Sequence, residues 1–230
     1  ANRPPPSGGP SRNGGFWVIP ISGYFLDAPN VQGTEVYGDQ IAVIFDLANA
    51  TYGVNAACIA GEGAAPWHCN MAQYTYKYIR SPIFALNSMY DSWQASCIVT
   101  AEPVVVPNNT AVNGNCSAVP GWAPCAANPE SCSSTQMISI NDYRTVFIED
   151  MNTTATAATP GNGGFLVSCH THCEAQSSAW QTFTIGGVSM SAAVAAWMAS
   201  PGQPASANFH WDCEYNANSL PHNCNPSCGA

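Results

Sequence analysis

Apolar positions fall into short dense runs separated by polar, Pro- and Gly-rich stretches. Phe16–Leu26 (FWVIPISGYFL) reads as a buried strand leading into a loop, with Pro20 confining it to a sheet edge or splitting it. Ile41, Ile44, Phe45 and Ala48 recur at helical spacing and predict an amphipathic helix over about Glu35–Ala50. Ile83–Leu86 (IFAL), just after Pro82, has the unbroken apolar character of a strand covered on both faces, and Phe165–Ser168 repeats it. A second helix fits Ser134–Met151, with Ile140, Tyr143, Phe147 and Met151 on one side. A third fits Ser191–Ala199, capped from Ser189. Trp67–Asn70 and Thr153–Gly164 read as loops, Thr100–Ser134 as an irregular disulfide-pinned excursion, and Cys213–Cys228 as a stapled tail. Strands alternating with helices predict an α/β sheet with flanking helices over residues 16–230. Ala1–Gly15, rich in Pro, Gly and Ser, predicts a flexible arm.

Composition narrows the compartment and the partners. The 230-residue chain carries a net charge of −9 with only five Lys+Arg, so it cannot neutralise a phosphate backbone and nucleic acid is excluded as a partner. No apolar run approaches the roughly 20 residues of a membrane-spanning helix. Eleven cysteines argue for disulfides and an oxidising compartment. The candidates are Cys58, Cys69, Cys97, Cys116, Cys125, Cys132, Cys169, Cys173, Cys213, Cys224 and Cys228. Four glycosylation sequons, at Asn49, Asn108, Asn115 and Asn152, agree with a secreted glycoprotein. Eleven is odd, so one thiol is left either free or bridged to another chain, and spacing does not say which. The start of the chain has no signal-peptide pattern and reads as a processed or partial chain.

Two strand ends hold the candidate chemistry, because functional residues of open α/β sheets gather at the carboxyl ends of strands. After Ile83–Leu86 comes Asn87-Ser88-Met89-Tyr90-Asp91-Ser92-Trp93-Gln94, where Asp91 fits either a helix cap or the orienting acid of a histidine. After Phe165–Val167 comes Ser168-Cys169-His170-Thr171-His172-Cys173. Its Cys and His spacings match no zinc template, so no metal is expected; a catalytic His on a pinned loop or a plain polar loop are the remaining readings. His68, beside Trp67 and Cys69, reads as a packed loop residue. No Gly-x-Ser-x-Gly elbow occurs: Gly187-Val188-Ser189 opens an Ala-rich helix, and Ser22 follows a Pro-bent strand without an elbow glycine before it. Cysteine nucleophiles are set aside because the thiols are expected to be bridged.

Ser81–Gln94 closely resembles a signature of the pectin acetylesterase/Notum family of secreted carboxylesterases. Val167–Cys173, the Gly23-Tyr24-Phe25-Leu26-Asp27 string and the terminal Cys224-Asn225-Pro226-Ser227-Cys228 resemble further family motifs, in the family's order. The resemblance covers nearly the whole chain but only the later half of a family member. It implies an α/β-hydrolase-like fold, C-terminal portion only, without cofactor. It also implies Asp91 and His172 as triad Asp and His, His170 as a neighbour, and Phe25 in the acyl pocket. The elbow serine lies upstream in the family. The resemblance therefore implies a partner: an N-terminal half or chain that carries the nucleophile, with the odd cysteine as a candidate disulfide link to it and much apolar surface left bare in its absence. The substrate would be an acyl ester on polysaccharide or protein, and the acidic charge argues modestly against a polyanion. The competing reading is an inactive extracellular assembly glycoprotein whose arm docks into a neighbouring copy.

Overall fold

The structure is a computed structural model that describes residues 16–103, 116–153, 160–200, 202–213 and 224–229. The predicted arm, residues 1–15, and the sequons at Asn108 and Asn115 lie outside the described residues.

The sheet is built from β1 (Phe84–Ser88), β2 (Gly163–Val167) and β5 (Phe209–Trp211). β1 pairs with β2 in parallel, from Phe84 opposite Gly163 to Ser88 opposite Val167, and β2 pairs in parallel with β5. Segment 16–22 runs along the other side of β1 through parallel bridges Val18–Ile83 and Ile21–Leu86. The amides of Val18 and Ser22 donate to the carbonyls of Pro82 and Leu86. In that register residue 20 should donate to the Phe84 carbonyl, and proline has no N–H to give. Pro20 thus breaks a strand into two isolated bridges. Residues 17, 19 and 21 turn their backbone groups outward, where they find no backbone partner among the described residues.

Strand alternation sends β1 and β2 side chains into two cores. Ile83, Ala85 and Leu166 join Met137, Ile140, Phe147 and Met151 of a long helix, α3 (Ser134–Thr153). Phe84, Leu86, Phe165 and Val167 join Met190, Ala193, Val194 and Trp197 of α4 (Met190–Ala199). This explains why both strands read as unbroken apolar runs: neither face meets water. A side chain as fully buried as Phe147 or Trp197 contributes roughly 1.5–3 kcal/mol. The Trp197 indole N–H donates to the Gly161 carbonyl, and its ring packs edge-on against Trp17 of the edge segment. β2 begins at Gly163-Gly164, inside the stretch expected to be a loop. A Cβ on Gly163 would sit 2.6 Å from the Phe84 ring, and one on Gly164 would sit 2.7 Å from the Phe209 ring. Glycine here lets both neighbouring strands bring aromatic rings against β2.

The predicted helices form with small shifts at their ends. α1 runs Val36–Leu47 and stops before Asn49, an exposed residue in the left-handed region (φ 47°). Asn152, the other described sequon residue, is also exposed. α4 is capped as expected, with the Ser189 hydroxyl accepting from the Ala192 amide. Besides β5, an α-helix and a hairpin went unpredicted. One is α2 (Ala56–Glu62), capped by Asn55 and stapled by Cys58–Cys69. The other is a hairpin of β3 (Thr184–Ile185) and β4 (Val188–Ser189), whose Gly186-Gly187 turn takes φ values of 57° and 80°. The 100–134 excursion carries Cys97–Cys116, Cys125–Cys132 and a short helix, Ala123–Ala127. Cys169–Cys228 and Cys213–Cys224 staple the tail. Cys173 was counted among the disulfide candidates, and here the structure differs. The other ten cysteines satisfy one another and Cys173 stays a free thiol. Phe16 is 84% and Tyr52 93% exposed. Among the described residues no helix is long and apolar enough to cross a membrane.

Candidate active site

β1 ends at Ser88, and three residues later Asp91 caps the short helix Ser92–Gln94. Its Oδ1 accepts from the amides of Trp93 (3.0 Å) and Gln94 (2.9 Å). Its Oδ2 lies 2.9 Å from Nδ1 of His172. Oδ1 also lies 3.1 Å from His172 Nδ1, so Asp91 is at once a helix cap and the partner of the histidine, with Oδ2 the nearer oxygen. Asp91 is 2% exposed, whereas the His172 side chain is 28% exposed. A carboxylate only accepts, so Nδ1 carries the proton and Nε2 is left as the basic nitrogen.

The two turns are sewn together by backbone and side chain. Met89 N–H donates to the Val167 carbonyl and Ser92 N–H to the Thr171 carbonyl. The Ser88 hydroxyl donates to the Cys169 carbonyl and accepts from Tyr90 N–H. The same motif holds Phe25 in place. Asn87 Oδ1 accepts from Tyr24 N–H, Gln94 Oε1 accepts from Leu26 N–H, and Gln94 Nε2 donates to the Tyr24 carbonyl. Phe25 lies between these anchors, 4.9 Å from Trp93 and 6.3 Å from His172, ring centre to ring centre. Tyr37 completes an aromatic wall, 5.7 Å from Trp93. Trp93 and Tyr37 were not singled out in the sequence, although Trp93 stood in the quoted motif.

Three residues around His172 also escaped prediction as a group. Ser22, dismissed as a nucleophile, is 2% exposed and left-handed (φ 47°). Its Oγ accepts from Cys173 N–H at 2.7 Å and donates to Glu174 Oε2 at 3.1 Å. Cys173 is left-handed too (φ 56°). Such residues cost on the order of 1–3 kcal/mol each and persist where their surroundings over-determine them.

Burial pushes the Asp91 carboxyl above its ordinary value, against the downward pull of the His172 hydrogen bond and the Gln94 and Trp93 amides. Burial pushes Glu174 up as well, helped by the Asp91 charge. Burial, then Asp91 and Glu174, push the Cys173 thiol above 9.0. Ten cysteines are withheld from nucleophilic chemistry by their disulfides, as expected, and Cys173 is disfavoured by its raised thiol instead. His68 is packed as expected: its ring stacks on Tyr74 at 4.0 Å, and Nδ1 faces Glu62 at 3.4 Å. His170 lines a small cavity with Tyr90, Asp91 and Tyr143. Within the Cys169–Cys173 string, Cys169 is committed to Cys228 and His172 to Asp91, which takes apart the metal-like pattern of the string. One trio of described residues brings metal-type ligand atoms together, Asp212, Cys213 and Cys224, and its two sulfurs are bonded to each other.

The sequence profile of the pectinacetylesterase family matches residues 16–225. The chain belongs to the pectinacetylesterase family. Pectin acetylesterase 11 of Arabidopsis thaliana is 26% identical over 213 residues, which are 91% of this chain and 48% of that protein. Pectin acetylesterase 5 of the same plant is 26% identical over 90% of this chain and 43% of its own length. Among solved structures, the Wnt deacylase Notum from Drosophila superposes with a TM-score of 0.60 at 15% identity, over 91% of this chain and 48% of that one. That likeness establishes the α/β-hydrolase-like fold with flanking helices. The chain spans about half the length of the relatives it matches.

Proposed function

We propose that this chain brings Asp91 and His172 to an extracellular serine-type carboxylesterase, which removes short acyl groups, acetyl above all, from a polysaccharide. The observation that carries the reading is the 2.9 Å bond from His172 Nδ1 to a buried Asp91 whose other oxygen is fixed by two amides. That arrangement sets one tautomer and one ring orientation, and it stabilises the imidazolium formed during reaction. His172 Nε2 takes the proton of a serine hydroxyl as that oxygen attacks the ester carbonyl. It then gives the proton to the departing sugar alcohol. Water, activated by the same nitrogen, next breaks the acyl-serine bond and releases the acid.

The serine comes from a part of the protein outside this chain. Three things support this: the chain has no Gly-x-Ser-x-Gly, the relatives are about twice its length, and residues 17, 19 and 21 offer an open sheet edge beside the site. Phe25, Trp93 and Tyr37 form an aromatic wall beside His172 that the acyl group would meet, and the names of the pectin acetylesterase relatives favour acetyl as that group. The five disulfides and the exposed sequon residues Asn49 and Asn152 support secretion.

The test is a serine-directed fluorophosphonate applied to native material, followed by mapping of the labelled peptide. We expect label on a Gly-x-Ser-x-Gly peptide, joined to this chain or co-purifying with it, and its loss in Asp91→Asn. Absence of label, together with no release of acetate from acetylated polysaccharide, would overturn the reading. The chain would then be an inactive extracellular scaffold whose open edge pairs with another copy.

A further inference from the structure

Glu174 has no part in the chemistry above, yet it is among the most buried carboxyls of the chain, 3% exposed, two residues from His172. One oxygen, Oε2, accepts from the Ser22 hydroxyl. The other, Oε1, is buried and meets no hydrogen-bond donor among the described residues. A half-satisfied buried carboxyl is a poor stabilising device, and such groups call for a functional reason. Its setting supplies one. Ser22 terminates the edge segment in a left-handed conformation, Cys173 leaves His172 in another, and the Ser22 oxygen joins the two by accepting from Cys173 N–H. By accepting the Ser22 proton, Glu174 turns that hydroxyl so that a lone pair faces Cys173 N–H.

We propose that Glu174 is a positioning residue for His172. Through Ser22 it locks the turn that carries the imidazole, and its carboxylate is a second negative neighbour of that ring, beside Asp91. The proposal rests on the reading of Asp91 and His172 as a catalytic pair. Asp91, His172 and Cys173 are the titratable groups facing Glu174 from the two turns, and Ser22 is its uncharged contact from the edge segment. Burial and Asp91 raise the Glu174 carboxyl, while its own backbone N–H, Ser22 and His172 draw it down, so it is coupled to the pair electrostatically.

Glu174→Gln tests the charge alone, since a glutamine keeps the size and still accepts from Ser22. In the intact protein, the pH at which the His172 ring titrates, followed by NMR of its carbon-bound protons, should fall by at least about half a unit. The acid limb of kcat/KM should move with it. Glu174→Ala and Ser22→Ala test the clamp: each should lower kcat roughly 10- to 100-fold with KM within about twofold. The proposal is overturned if Glu174→Gln leaves the His172 titration in place, or if Ser22→Ala leaves kcat unchanged in a folded protein. The NMR readout needs no ester turnover, so the two readings fail separately. A shifted His172 in a protein without esterase activity sinks only the catalytic reading. An unshifted His172 in an active esterase sinks only the role of Glu174.

Discussion

The turn after β1 and the turn after β2 each carry one member of the Asp91–His172 pair, yet different forces hold them. The Asp91 turn is built from ordinary secondary structure. A strand ends, a carboxylate caps the next helix, and the same carboxylate holds the His172 ring nitrogen. The His172 turn has no helix of comparable use. It is tethered by Cys169–Cys228 on one side and by Ser22 and Glu174 on the other, with Cys173 in a costly backbone conformation. A functional group on a capped helix is placed by geometry that the backbone prefers. One on an irregular loop has to be restrained by covalent bonds and buried polar contacts instead.

Substitutions should separate the two strategies. The largest effect is expected from Asp91→Asn. Asparagine caps helices as well as aspartate, so the fold should survive with Tm within about 3 °C. It cannot enforce the Nδ1–H tautomer, so kcat of the intact esterase should fall by roughly 10³–10⁴-fold, read by steady-state kinetics. A large loss of Tm would show that the cap, not the histidine, is the main role of Asp91. Next comes the paired change Cys169→Ala with Cys228→Ala. The bridge spans 59 residues of sequence, and the chain-entropy rule puts its removal at about 4 kcal/mol, measurable by denaturant unfolding. Activity should fall as well, because the His172 turn loses its tether. Removing Cys58–Cys69 should cost less, since only 11 residues separate its ends, and should leave turnover intact.

The smallest effect is a pH dependence of stability. The Glu174 carboxyl is raised above 4.5 in the folded state, so the fold binds a proton that the unfolded chain would release. Its contribution is fully present below about 4.5 and is lost as pH rises through the raised folded value. The Tm of the unsubstituted protein minus that of Glu174→Gln should therefore decline from pH 4.5 to pH 8. That difference cancels His210, whose ring burial depresses it below 6.5 and which acts in the opposite sense. A flat difference would mean that Glu174 ionises in the folded protein much as it does in the unfolded chain.

The sheet and its helices were legible because burial writes itself into periodicity. IFAL and FLV announced two-sided strands, and Ile140, Phe147 and Met151 announced the inner face of α3. The Gly186-Gly187 turn between Ile185 and Val188 was a readable hairpin signal that was passed over in favour of the helix beyond it. β5 escaped because a three-residue strand next to a stapled tail has too few positions to show alternation. Asp91 and His172 were found from motif and strand-end position. Their contact was not, since 81 residues separate them in sequence and only the parallel register of β1 with β2 closes that gap. Ser22, Cys173 and Glu174 were invisible as a group for the same reason. Local sequence gives no sign that residue 22 will meet residue 174, or that Cys173 is the thiol left over.

That leftover thiol bears on how the molecule survives its own folding. A free thiol is the attacking group of disulfide exchange, and Cys173 stands four residues along the chain from the bridged Cys169. Exchange proceeds only through the thiolate, and attack slows as that fraction shrinks. Burial first, then the charges of Asp91 and Glu174, push the Cys173 thiol above its ordinary value and so favour its protonated form. The negative charge gathered around the imidazole thus doubles as protection against scrambling. Purification in mildly acidic buffer should keep the five native pairings, and prolonged exposure to alkali should erode Cys169–Cys228 first.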